Sequence, residues 1–448
     1  MKESKDDIKG CFVLKKIAII VLSSNWDSAY SVASVVKTQI RSLVRAGYSP
    51  RVLLLKSSPP WILRSKVDYR MCLPNVKYDE HNGKANAQFF KGVHSISRAL
   101  EKNLQGIDIV LSHDLLYLRL LLPYNLAVRI VGQKLKKLHW LHWAHSSPFS
   151  RPRRKIGYPY NMLYRDMPRS RFVSVTKAQA RGYARRYAVA DSKVVTVYNP
   201  RATQDFMTLG PIVRKLVEKY RLFEADIVAV MPTVLSRIHK QQEVTLYLIA
   251  ALKDAGKKVR LVFADAYALR RKDNEGVRML QLKWLSRKLG LSEGEVVFTS
   301  ETNTKLKDGC PAKVIKELLQ ISNVYIHPSG YETGSLALME AALTKNLCII
   351  NKDLASIKEI VKKDALWLKF DSVVRAIKKK YKIRRLKDGF YKYFYSYYQD
   401  NRASFKAYAR KIINTLEEDR SLSLFSRVKK ELNEQIIFET QLKPLLEE

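Results

Sequence analysis

The sequence predicts an α/β protein of two doubly wound parallel-sheet domains with a helical tail, and three observations carry that prediction. Short apolar runs rich in Val and Ile alternate with amphipathic stretches of helical period. The alternation lapses once, between about Pro200 and Glu224, and then begins afresh. From about residue 371 the strand pattern stops, and the chain turns helical and dense in Lys and Tyr.

In chain order, KKIAIIVLSS reads as a buried strand because its apolar run is continuous and β-branched. YSVASVVKTQIRSLVRAG follows with apolar residues at helical spacing and stops at Gly47, before the strand RVLLL. IDIVLSHD, KLHWLHWAHSS, RFVSVT and KVVTVYNP continue the strand series, with the helical KAQARGYARRYAV between the last two. A second series runs DIVAVMPT, helix EVTLYLIAALKDAG, KKVRLVFAD, helix, EVVFTS, helix, NVYIHPSG, helix, NLCIIN. The expected domains are residues 1–205, 206–370 and a basic, Tyr-rich helical tail, 371–448. Ligands of such sheets sit beyond the carboxyl ends of the strands, so two of these domains are expected to face each other across a cleft.

The 448 residues are 46% hydrophobic and 10% aromatic, ample for two cores and too many for one typical domain. Lys and Arg number 81 against 42 Asp and Glu, a formal charge of +39 that predicts attraction to an anionic polymer or surface. The excess peaks in residues 131–190, with 14 basic side chains and one acidic. Cys11, Cys72, Cys310 and Cys348 show no paired spacing, so neither a disulfide framework nor a metal site is expected, and a reducing compartment is. The charged start MKESKDDIKG precedes an apolar run too short for a signal peptide, so a cytoplasmic location is expected. LLYLRLLLPYNLAVRIV, the best membrane-span candidate, is interrupted by Arg119, Pro123, Asn125 and Arg129 and falls short of about 20 clean apolar residues. Membrane contact is therefore expected to be peripheral at most.

The chemistry concentrates in HPSGYETGSLALMEAAL, a strand end and turn followed by a good helix former. Amides at such a helix start bind anions. Glutamates there are repulsive unless they address something else, and sugar hydroxyls suit carboxylate acceptors. On the residues alone, a carboxylate favouring the helix dipole and a second on a solvated face also fit Glu332 and Glu340. Pro328, Ser329, Glu332, Glu340 and Ala341 nevertheless resemble the motif of family 4 glycosyltransferases with the GT-B fold, in which Glu, seven residues and Glu follow a strand ending near Pro-Ser.

That resemblance implies that Glu332 contacts the donor sugar at the reacting face and that Glu340 binds the nucleotide ribose. It also implies that amides at Gly334, Ser335 and Leu336 hold the donor diphosphate. MPTVLSRIHKQQE resembles the family's loop that supplies cations to the diphosphate, with Arg237 and Lys240 as candidates. The two stand closer together than the family's pair, and Val234 occupies a position where the pattern has Arg; a solvated helix start also fits them. In the first domain, KLHWLHWAHSSPFSRP resembles the strand that ends in a donor-contacting histidine, which makes His145 a catalytic candidate and His139 and His142 core or acceptor-side residues. His113 and Asp114 end another strand and suit either the acceptor side or a turn cap. VTVYNP resembles the strand and Asn turn before the interdomain linker, while SSNWDSAYS lacks the glycine pair of many relatives. The resemblance further implies a UDP- or GDP-type nucleotide sugar as co-substrate, retention of anomeric configuration, no required metal and no tightly bound cofactor.

A diphosphate needs only two or three cations, so most of the +39 points to the acceptor or its carrier. One reading is DNA: RPRRKIG, RGYARRYA and IKKKYKIRRLK would neutralise phosphates, Tyr-rich neighbours would stack, and a hydroxymethylated base would be flipped into the cleft. This resembles the glycosyltransferases with which tailed phages decorate modified bases. The other reading is an envelope enzyme on an anionic membrane surface, with a lipid-linked or lipopolysaccharide acceptor; about 1 kcal/mol per basic residue suffices for docking. A non-enzymatic nucleic-acid binder would not need Glu332, Glu340 and Lys240 together at strand ends.

Overall fold

The computed structural model describes residues 14–22, 31–58, 67–79, 83–145, 156–266, 275–307, 309–332, 335–382 and 392–448. The chain divides into two compact units, Met1–Ala202 with Leu432–Glu448, and Thr203–Glu431.

The first unit holds a parallel sheet of β1 (Ile17–Val21), β2 (Arg51–Leu55), β3 (Asp68–Leu73), β4 (Ile109–His113), β5 (His139–Ala144), β6 (Ser170–Ser174) and β7 (Val194–Thr196), in the order β3-β2-β1-β4-β5-β6-β7. Strand alternation sends Ala18, Ile20, Val110, Trp140 and Phe172 into one core and Ile17, Ile19, Leu111, Leu141 and Val173 into the other. Burial on both faces is why these strands read as unbroken apolar runs. Part of the membrane-span candidate forms the helix Leu122–Lys134, with Pro123 in its first turn and buried residues on every side. Among the described residues no helix is long and apolar enough to cross a membrane.

The second unit repeats the plan with β8 (Ile227–Val234), β9 (Val259–Ala266), β10 (Val296–Phe298), β11 (Val324–His327), β12 (Leu347–Asn351) and β13 (Leu366–Leu368). Their order is β10-β9-β8-β11-β12-β13, and every pairing is parallel. In each sheet the strand order reverses between two central strands, β1 and β4 in the first and β8 and β11 in the second. Crevices at such reversals, beyond the carboxyl ends, are where doubly wound sheets take ligands. Two Rossmann-like sheets with helices at the C-terminal end are thus the observed α/β architecture.

The boundaries differ from those expected at 205/206 and 370/371. The tail does not stand apart: Phe394, Tyr398, Phe405, Ala409 and Ile412 join the core of the second unit, and the Tyr247 hydroxyl donates to the Phe394 carbonyl at 2.7 Å. The last residues return to the first unit, where Ile437, Phe438, Leu442 and Leu446 enter its core. Arg201 N–H donates to Leu432 O (3.0 Å) and Glu434 N–H to Arg201 O (3.1 Å), which ties that return in place.

Candidate active site

Two loops make the site of the second unit. After β8 the chain turns through Ile238–Lys240 into the helix Gln242–Asp254; after β11 it runs through Pro328–Glu332 towards the helix Leu336–Leu343. Gln241, at φ 50°, joins them: its side-chain amide donates to Pro328 O (2.6 Å) and its carbonyl oxygen accepts from Val373 N–H (3.0 Å). Gly330 N–H donates to His239 O at 2.8 Å, a second stitch. Gln242 turns its amide the other way, onto Thr233 Oγ1 (3.2 Å) and Leu235 O (3.3 Å) at the end of β8. Behind it lies the buried ion pair of Arg278 with Glu243.

These stitches set Lys240 opposite Glu332, and the lysine Nζ donates to Glu332 Oε2. Both side chains are mostly buried, with 19% of Lys240 and 14% of Glu332 exposed. The Glu332 carbonyl is held by the Ser356 hydroxyl, and the Ser329 carbonyl accepts from the Asn351 side chain at 3.1 Å. His327, the last residue of β11, brings Nε2 to 3.8 Å from the same Glu332 oxygen. Burial, reinforced by the Lys240 charge, pushes its imidazole down to about 4, so it is neutral at pH 7.

The other second-unit candidates sit around this pair. Ser335 caps the helix Leu336–Leu343 by accepting from Leu338 N–H at 3.3 Å, Leu336 opens that helix on an exposed position, and Glu340 is exposed on its fifth residue. Arg237 is exposed in the turn before Lys240, and its charge helps to depress the His239 imidazole after burial and Lys240. Gly334, RPRRK and most of SSNWDSAYS lie outside the described residues, as does the end of IKKKYKIRRLK.

In the first unit three candidates converge at the ends of β4 and β5. Asp114, at φ 59°, accepts the His145 N–H at 2.9 Å, and His113 Nδ1 lies 2.9 Å from His145 Nε2 with the rings stacked. Burial pushes His145 down to about 4 and His113 well below its usual value, so the two neutral rings share a hydrogen bond. Burial pushes Asp114 up to about 6, against the pull of the His145 amide. His142 is buried within β5 and bonded to Ser112 Oγ at 2.6 Å, a core role, whereas His139 opens the strand on an exposed position.

Not all the positive charge faces solvent. Arg129 is buried and donates to Asn125 Oδ1 and to the carbonyls of Asp166, Met162 and Arg165, and burial pushes it down to about 10. Arg186 is buried between the rings of Tyr117 and Tyr164, 4.6 Å from each centroid. What remains outside is ordered: Lys177, Arg181 and Arg185 lie along one exposed face of the helix Lys177–Tyr187, and Arg402, Lys406 and Arg410 along the helix Arg402–Glu418. At four residues apart, successive cations are about 6 Å apart along the axis. Among the described residues no group of three or more His, Cys, Asp or Glu is placed to hold a metal ion.

The fold and this site define a Rossmann-like, two-unit α/β protein, and a family comparison finds a similarity within its second unit. Residues 214–412, somewhat under half of the chain, match the family described as glycosyl transferases group 1. No curated protein matches the chain by sequence. Among solved structures, a trehalose-phosphate synthase (UDP-forming) from Burkholderia xenovorans is 12% identical, covering 97% of this chain and 100% of its own, with TM-score 0.36. Anabaena Alr3699/HepE in complex with UDP-glucose is 14% identical, with 97% and 100% covered and TM-score 0.34. A glycosyltransferase from Rickettsia africae is 15% identical, with 96% and 100% covered and TM-score 0.31.

Proposed function

We propose that the protein is a retaining glycosyltransferase of family 4 type that moves a sugar from a nucleoside diphosphate sugar to a hydroxyl acceptor. The observation that carries this reading is the Lys240–Glu332 pair at the reversal point of the second sheet, within a domain matching glycosyl transferases group 1. A cation and a carboxylate held side by side suit a ligand that carries a diphosphate next to a polyol. Lys240, with Arg237 and the amides of Gly334, Ser335 and Leu336, takes the diphosphate; Glu332 takes sugar hydroxyls and Glu340 the ribose. The acceptor hydroxyl oxygen bonds to the anomeric carbon as the bond from that carbon to phosphate breaks. The hydroxyl proton passes to the departing diphosphate on the same face, whose growing charge the fixed cation stabilises. In the first unit His145 is the substrate-facing imidazole, with His113 and Asp114 holding it in place.

The favoured acceptor is a hydroxymethylated base in DNA, as in phage-type DNA modification. Two three-cation helix faces, Lys177–Arg181–Arg185 and Arg402–Lys406–Arg410, support a polyanionic partner. Glu332→Ala tests the assignment: sugar transfer should be lost while duplex DNA still binds, and retained transfer would refute the role given to Glu332.

A further inference from the structure

His327 has no assigned part in the reading above, yet its surroundings are built around one nitrogen. It is buried at the end of β11, its ring stacks on Tyr325, and its Nδ1 lies 3.3 Å from the Tyr325 hydroxyl. Nε2 is buried without a hydrogen-bond partner and points towards Glu332 Oε2, 3.8 Å away. A buried orphan nitrogen is costly unless some state of the molecule uses it.

Chemistry fixes which nitrogen carries the proton. Burial raises the Tyr325 phenol and keeps it protonated, so it is available to donate to Nδ1. The opposite tautomer would turn a lone pair on Nε2 towards a carboxylate. The hydrogen therefore sits on Nε2 and faces Glu332, but at 3.8 Å it is too far for a hydrogen bond while Lys240 holds the same oxygen.

We propose that His327 is the positioning residue of Glu332: when Lys240 leaves the carboxylate for a diphosphate, Nε2–H closes on that oxygen and leaves the other aimed at a sugar hydroxyl. The inference rests on the donor-site reading given above. Binding of the sugar nucleotide then exchanges the Lys240 contact for one from a neutral donor, so Glu332 keeps its charge for the sugar without remaining tied to the cation. Tyr325 serves as the tautomer lock, and Ser335, the cap of the following helix, also hydrogen-bonds with its hydroxyl.

The experiment compares His327→Phe, His327→Gln and Tyr325→Phe with the full wild-type chain. Loss of a hydrogen bond to a charged group predicts a fall in kcat of about 10- to 100-fold for His327→Phe. Affinity for the nucleoside diphosphate alone should fall as well, by up to about tenfold, because freeing Lys240 then leaves Glu332 without the N–H that replaces it. Gln carries a side-chain N–H where Nε2 stands, so His327→Gln should recover most of the lost rate; Tyr325→Phe should fall between. Wild-type kcat in His327→Phe, or a Gln variant as slow as the Phe variant at equal melting temperature, overturns the proposal. Should the Phe variant not fold, nitrogen NMR of wild-type His327 decides: the Nε2–H tautomer supports the proposal and the Nδ1–H tautomer overturns it. A wild-type protein that binds no nucleoside diphosphate refutes the donor-site reading itself, whereas an active wild type with a fully active Phe variant refutes only the role of His327.

Discussion

Removing the carboxylate of Glu332 should strengthen the binding of a nucleoside diphosphate while destroying sugar transfer. Lys240 is engaged by Glu332, so a diphosphate must compete for it. The pair lies between the exposed and the buried regimes, with 19% and 14% of the two side chains accessible. Exposed pairs contribute about 0.2–1 kcal/mol, and breaking fully buried ones costs about 3–5 kcal/mol. A contribution of about 1.4 kcal/mol is reasonable for this setting, and it corresponds to about tenfold in affinity. Glu332→Gln should therefore tighten nucleoside diphosphate binding about tenfold in calorimetric titration. Lys240→Met should weaken it by at least as much, and the double variant should match Lys240→Met, because the glutamate acts only through the lysine. The same Glu332→Gln protein should transfer sugar at no more than about a hundredth of the wild-type rate, on the scale of losing a key electrostatic contact in the transition state. If Glu332→Gln weakens diphosphate binding as Lys240→Met does, the competition does not exist and the division of labour between cation and carboxylate is wrong.

Three further outcomes follow from the same geometry. Because burial raises Asp114 to about 6, its stabilising protonated form is fully present below about pH 4 and lost as pH rises through 6. Asp114→Asn should then gain about 2–3 kcal/mol of stability at pH 8 and nothing at pH 4, and equal melting temperatures at pH 8 would contradict this. Arg278→Met leaves buried Glu243 without its cation and should cost about 3–5 kcal/mol in denaturant titration, most of it recovered when Glu243 is also replaced by Met; no recovery would contradict the pairing. Replacing Lys177, Arg181 and Arg185 by Ala should reduce the slope of log affinity for duplex DNA against log salt by about 3, and an unchanged slope would remove that helix face from the contact.

The strands were legible in the sequence because central parallel strands bury both faces and so demand continuous apolar runs. The edge strand β3, DYRMCL, was not, since its exposed and half-exposed positions let Asp68 and Arg70 interrupt the pattern. The tail read only as a basic helical segment because its charged faces dominate composition, while the residues that dock it, Phe394, Tyr398 and Phe405, are hidden among many other aromatics. Glu332 and Lys240 could be singled out as candidates from motif and strand-end position, and the pairing of their side chains is what the structure adds. Gln241 could not, since its role depends on a left-handed backbone that brings one side chain to two distant loops. His327 lay in the motif itself, but a histidine flanked by apolar residues reads as core until its unpartnered nitrogen and nearest carboxylate are known. Composition likewise counts Arg129 and Arg186 as solvated charge, although carbonyls and aromatic rings hold both inside.

The central claim, a glycosyltransferase whose acceptor is modified DNA, is tested most directly by incubating the wild-type protein with radiolabelled nucleotide sugars and either hydroxymethylated duplex DNA or a lipid extract. Label on the hydroxymethylated DNA, absent from unmodified DNA and from the Glu332→Ala reaction, is the predicted result. Label in lipid with none on DNA would contradict the acceptor, and no label in either with any nucleotide sugar would contradict the enzyme.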